Sequence, residues 1–164
     1  MKITLTLSEQ QQCHVVAMKR IYEIDATPEW KSRYDHSCNF HDMIAQQAEA
    51  IGAEMAVANY FNFVNFDPSK SLFKETADVG ANLEVRWTKY ENGQLIVYPN
   101  DRASDIAILV TGKSPTYVIA GWIPISVARK PKYKHRSQET WWVTQINLQP
   151  IENLVRSNYA KALG

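Results

Sequence analysis

Three acids and one base in this chain have the types and spacing to do chemistry on a phosphate. Asp78 precedes Glu84-Val85-Arg86 by six positions, and Gly52-Ala53-Glu54 lies about two dozen positions upstream. Alternation from Leu83 to Thr88 puts Leu83, Val85 and Trp87 on one face of a strand and Glu84, Arg86 and Thr88 on the other. An acid and a guanidinium side by side on a strand are most simply an ion pair on a solvated face. Asp78 changes the balance, because Gly80 allows a turn that returns its carboxylate beside Glu84. Two carboxylates held close repel unless a cation lies between them, which points to a hard dication. Mg2+, with Mn2+ as a substitute, suits such a pair, since it takes one or two carboxylates and leaves other positions to water and phosphate oxygens. A neighbouring Arg86 would then stabilise charge that develops on phosphorus.

The elements that must position these groups are legible in the periodicity. From His41 to Asn62, Ile44, Ala48, Ile51, Met55 and Ala58 recur at helical spacing, and Gly52, Ala53 and Ala56 allow close packing against a sheet. Glu54 falls on the edge of that stripe, where pairing with a base such as Arg86 is the plain alternative to a site role. Glu49, about 140° further round, cannot face the same place. Lys2 to Leu7 alternates as a half-buried edge strand. Ser8-Glu9-Gln10-Gln11 resembles a capping box that opens a helix to about Glu23, with Val15, Met18 and Tyr22 inward. Asn92-Gly93 signals a hairpin, so Leu95 to Tyr98 is expected antiparallel to the Glu84 strand. Ile106 to Val110 reads as a central strand buried on both faces. After Gly112 to Pro115 the chain returns in Thr116 to Ile123, and Pro124 opens a short helix to Ala128. Trp141 to Val143 is a last strand, and Ile151 to Ala162 a C-terminal helix with Ile151, Leu154 and Val155 inward.

In that order, Asp78 and Glu84-Val85-Arg86 after a helix carrying Gly52-Ala53-Glu54 resemble the core of the restriction-endonuclease-like, or PD-(D/E)XK, nuclease superfamily. Gln94-Leu-Ile-Val-Tyr-Pro-Asn-Asp, Ile108-Leu-Val-Thr-Gly and Gly121-Trp-Ile resemble a subgroup from phage and bacterial genomes. The likeness spans roughly residues 45 to 150. It implies an α/β fold, a mixed sheet of about five strands flanked by helices. Residues 41–150 would form the core, 1–40 an N-terminal addition and 151–162 a closing helix of one nuclease-like domain. It also implies a metal-dependent deoxyribonuclease in which Asp78 and Glu84 bind magnesium, Glu54 completes the site and Arg86 assists. DNA is the implied partner, and many relatives cut as homodimers. Two departures stand out: Ala77 replaces the name-giving Pro, and Arg86 the usual Lys. Arg cannot be deprotonated, so Arg86 is no base. The alternative that follows is an inactive module of nuclease fold that binds nucleic acid or a protein.

Composition is ordinary for one globular domain: 164 residues, 45% hydrophobic and 21% charged. The absence of a long apolar run and the polar start Met-Lys-Ile-Thr lead to the expectation of a protein in the cytoplasm, the host's if phage-encoded, with no membrane partner. Cys13 and Cys38 form no disulfide framework. The net charge of +1 does not advertise nucleic-acid binding. Its distribution is more telling, since Arg129, Lys130, Lys132, Lys134 and Arg136 crowd an acid-free loop suited to phosphates. Trp30, Lys31, Arg33 and Tyr34 suit a lid packed over the core, with contact to nucleic acid as the alternative. His36, Cys38 and His41 match no strong zinc spacing. Gln145 is a weaker site candidate.

Overall fold

The strand Ile106–Lys113 (β4) runs through the middle of the molecule, its first six residues all buried. The computed structural model describes residues 1–25, 39–70 and 76–164. On one side β4 pairs antiparallel with Thr116–Pro124 (β5), and on the other parallel with Leu83–Thr88 (β2), Val85 facing Ile108. Lys2–Thr4 (β1) lies antiparallel on the far side of β5 and closes a four-stranded mixed sheet, order β1-β5-β4-β2. Both faces are covered, which is why β4 is a continuous apolar run rather than an alternating one.

One face carries Leu83, Val85, Ile106, Ile108 and Val110 and packs under two helices, Leu7–Asp25 (α1) and Phe40–Tyr60 (α2). Ala53, Ala56 and Ala58 of α2 are buried there. At Gly52 an added Cβ would lie 2.2 Å from the Tyr117 hydroxyl, so only glycine allows this approach. The other face, with Ala107, Leu109 and Ile123, packs against a small antiparallel pair, Leu95–Val97 (β3) and Trp141–Val143 (β6), together with the short helix Ile125–Ala128 (α3). The result is a layered α/β domain: helices, mixed sheet, small sheet. No helix among the described residues is long and apolar enough to cross a membrane.

Four expectations change. The strand after Asn92-Gly93 leaves the main sheet, and β3 pairs with β6 instead of β2. A two-residue hairpin return of the I′ type needs positive φ at both central positions, and neither Asn92 nor Gly93 adopts it. The capping box is set two residues earlier: the Glu9 carboxylate accepts from the Thr6 amide (2.7 Å) and Thr6 Oγ1 from the Glu9 amide (3.3 Å). Thr6→Ala should therefore cost about 1 kcal/mol, read as a fall in Tm of about 2–4 °C for a domain of this size. The inward face of α1 is Cys13, Val16, Ala17, Arg20 and Ile21, and it leaves Val15 and Tyr22 69% and 82% exposed. Finally, the C-terminal segment forms two 3₁₀ turns, Ile151–Arg156 and Ala160–Leu163. With three residues per turn, Ile151 and Leu154 share the buried face while Val155 turns outward.

Residues 30–38, with the aromatic and basic loop and two of the three zinc-cluster candidates, lie outside the described residues.

Candidate active site

The turn at Gly80 brings Asp78 back against β2, as its glycine suggested. Gly80 has φ 58°, and Val79 and Leu83 exchange both backbone hydrogen bonds across the turn. The C-terminus braces it: the Ala162 carbonyl accepts from the amides of Ala81 (3.1 Å) and Asn82 (3.0 Å). An added Cβ at Gly80 would meet the Leu163 carbonyl at 2.9 Å. Asp78 then reaches the open edge of β2, where its Oδ2 accepts from the Val85 amide at 2.8 Å. Beside it lies a cavity of about 460 Å³, lined also by Asn62, Phe66, Asp67 and Lys70.

Glu84 and Arg86 share the opposite face of β2 from Leu83 and Val85, as the alternation requires. Arg86 Nη1 donates to Glu84 Oε1 at 2.6 Å and Nη2 to Asp101 Oδ1 at 2.7 Å, and Nε reaches the Ile96 carbonyl at 3.3 Å. The guanidinium also lies over the Tyr98 ring, 5.6 Å from its centroid. Burial works against its charge, but Glu84 and Asp101 hold it firmly protonated. Arg86 therefore positions Glu84 and ties it to the Tyr98–Asp101 turn.

Glu54 is buried at 5% exposure on α2, and its partner is Arg20 rather than Arg86. The Arg20 fork meets both oxygens, Nη1 to Oε1 at 3.0 Å and Nη2 to Oε2 at 2.8 Å, and Nη2 also donates to the Pro68 carbonyl. This pair fastens α1 to α2. Glu49, on another face of α2, accepts from the Tyr117 hydroxyl and the Ser114 amide.

The acids bear on one another at Asp78. Burial first, then the charges of Glu54 and Glu84, push its carboxyl well above the ordinary range, while the Val85 amide and Arg86 pull the other way. Yet they do not gather into one ligand set: among the described residues no three His, Cys, Asp or Glu side chains converge to hold a metal. The donor chemistry suits a smaller site. Asp78 and Glu84 each fix one carboxylate oxygen to the protein, and Asp78 Oδ1 and Glu84 Oε2 carry no hydrogen bond among the described residues. Two carboxylates with one oxygen apiece in reserve match what magnesium asks of a protein. Glu54, held by both oxygens, does not fit as a third.

Asp101 and Arg20 are the residues that sequence reasoning missed. Arg20 had a signal, a lone base on the stripe of Cys13, Val16, Ala17 and Ile21; Asp101 had none beyond a turn. Asp101→Asn removes a partner that orients Glu84 through Arg86; if Asp78 and Glu84 hold an ion, about tenfold weaker binding of Mn2+ in a titration is expected.

The basic loop is anchored to the same turn. Arg129 Nη2 donates to the carbonyls of Tyr98 and Pro99, both at 3.0 Å, and to that of Asp101. Lys134 pairs with Glu139 at 3.3 Å, whereas Lys130, Lys132 and Arg136 are exposed and form no ion pair among the described residues. Gln145 is structural, donating to the carbonyls of Glu91 and Gly93. No protein family, characterised protein or solved structure matched the chain.

Proposed function

We propose that this chain is a magnesium-dependent nuclease of PD-(D/E)XK type that hydrolyses DNA phosphodiester bonds, with a restriction-endonuclease-like core. The observation that carries the reading is the pair Asp78 and Glu84, set by the Gly80 turn and by Arg86 on the edge strand of a mixed sheet. Each keeps one oxygen in reserve. α2 precedes that strand, in the order the superfamily likeness requires. Asp78 and Glu84 would hold the ion, which supplies a water of lowered pKa and polarises the scissile phosphate. Arg86 holds Glu84 in place and keeps positive charge close to where negative charge builds. Glu54 acts on the site through its charge, its oxygens being engaged by Arg20. The cations of the loop from Arg129 to Arg136, tied to the turn that grips Arg86, would neutralise backbone phosphates on the approach to the acids.

The test is cleavage of plasmid and linear DNA by the purified protein with Mg2+ or Mn2+. Cleavage lost in Glu84→Gln supports the reading; a folded protein that neither cuts nor binds the ion defeats it.

A second reading has its own support. Arg20 and Arg86 already neutralise Glu54 and Glu84, as they would in a module that keeps the fold but binds nucleic acid without cutting it. Such a module shifts DNA in a gel without divalent ions, with affinity that falls as salt rises.

A further inference from the structure

A second concavity, of about 860 Å³, opens on the other side of the basic loop, between the end of β5, α3 and the C-terminal turns. Its volume lies within the ~300–1,000 Å³ range of sites that take drug-sized ligands. Lys132 and Arg156 line it, with Asn153 and the rings of Tyr133 and Tyr159, and no Asp or Glu does so among the described residues. Glu152, the exposed acid of the bordering turn, is not among the lining residues. Arg156 and Asn153 are exposed, and their side chains make no hydrogen bond or ion pair among the described residues. The rings are set rather than loose. Tyr159 stands edge-on to the buried Trp122, with centroids 5.8 Å apart at 66°, and keeps 38% of its surface open. Lys132 sits over Tyr133 at 4.5 Å from the ring centroid.

We infer that this groove binds a single strand of nucleic acid, its phosphates on Lys132 and Arg156 and a base against Tyr159. Ring faces beside a cationic track are what an unpaired strand needs, because every base has a face to stack and duplex bases are already stacked. Charge complementarity points the same way: two cations without a counter-acid favour a polyanion. The groove is also continuous with the basic loop, since Lys132 belongs to both. The inference rests on the proposal that the chain acts on nucleic acid, but not on cleavage.

Fluorescence anisotropy of a short end-labelled oligothymidylate in EDTA tests it. Wild type and Asp78→Asn should bind alike. Arg156→Gln should lower the slope of log affinity against log salt by about 0.7, the value for one single-strand phosphate contact. Tyr159→Ala should bind about tenfold more weakly at unchanged slope, within the range for one lost stack, and Tyr159→Phe should bind as wild type. Arg156 and Tyr159 are exposed, so the melts of their variants should lie close to that of the wild type. Equal affinity for a duplex of the same length, indifference to both Arg156→Gln and Tyr159→Ala, or full displacement by an acidic polypeptide held through Tyr159 would overturn it. Strand binding by a protein that never cuts would support the groove and sink the nuclease reading; cleavage without strand binding would do the reverse.

Discussion

Replacing Arg20 with Ala should cost about 3–5 kcal/mol, the usual consequence of stranding one member of a buried ion pair. Glu54, at 5% exposure, loses the fork that meets both its oxygens, and the Pro68 carbonyl loses a donor. A fall in Tm of roughly 10 °C or more follows for a domain of this length. The paired replacement Arg20→Met with Glu54→Met removes both charges together. Stability should then return to near the wild-type value, since apolar side chains of similar volume often replace a buried pair without loss. The double variant also separates two roles for Glu54. If its oxygens serve only Arg20, cleavage survives in the double variant; if Glu54 is a ligand of the ion, cleavage is lost from a protein that melts normally. The account expects survival.

Asp78→Asn should abolish cleavage and at the same time raise the melting temperature. The carboxyl is half-buried, and burial together with Glu54 and Glu84 lifts its pKa above that of the unfolded chain. The native state thus keeps a proton that the unfolded chain has released. Its contribution to stability is present at low pH, below the unfolded-state value, and is lost as pH rises through the folded-state value. Above the unfolded-state value the carboxyl is therefore a burden that Asn removes, while the amide oxygen can still accept from Val85. Melts in EDTA should show Asp78→Asn above wild type at pH 7, by about 2–4 °C if the relief is ~1 kcal/mol, and the gap should close at acid pH. Activity should fall by more than the ~10–100-fold that loss of an outer-sphere partner costs. A group whose removal stabilises the fold and ends the reaction is kept for its chemistry. A residue that only caps the β2 edge would show the reverse: lower stability and unchanged activity.

Strand β2 and helix α2 were legible because their apolar residues recur at the period of the element they form. β4 was legible as an unbroken apolar run, which only a doubly covered strand can afford. What local pattern could not reveal was partnership. Asn92-Gly93 is a hairpin signal by composition, yet the backbone takes another turn and β3 crosses to β6. Two apolar phases compete on α1, and the choice of Cys13, Val16 and Ile21 over Val15, Met18 and Tyr22 depends on a contact with α2 that no spacing encodes. The site divides in the same way. Asp78, Glu84 and Arg86 lie within nine positions, so a glycine turn was enough to put Asp78 on the β2 backbone and a strand's alternation to put Glu84 beside Arg86. Arg20 and Asp101 are remote in sequence, and both reach the site only through the assembled core and its turns.

The measurement that bears most directly on the account is calorimetric titration of Mn2+ into wild type, Asp78→Asn, Glu84→Gln and the Arg20→Met/Glu54→Met protein, each shown to melt cooperatively. The account predicts one site in the wild type, lost in either single variant and retained in the double variant. A wild type that takes up no ion, or an ion still bound in Asp78→Asn or in Glu84→Gln, would contradict it.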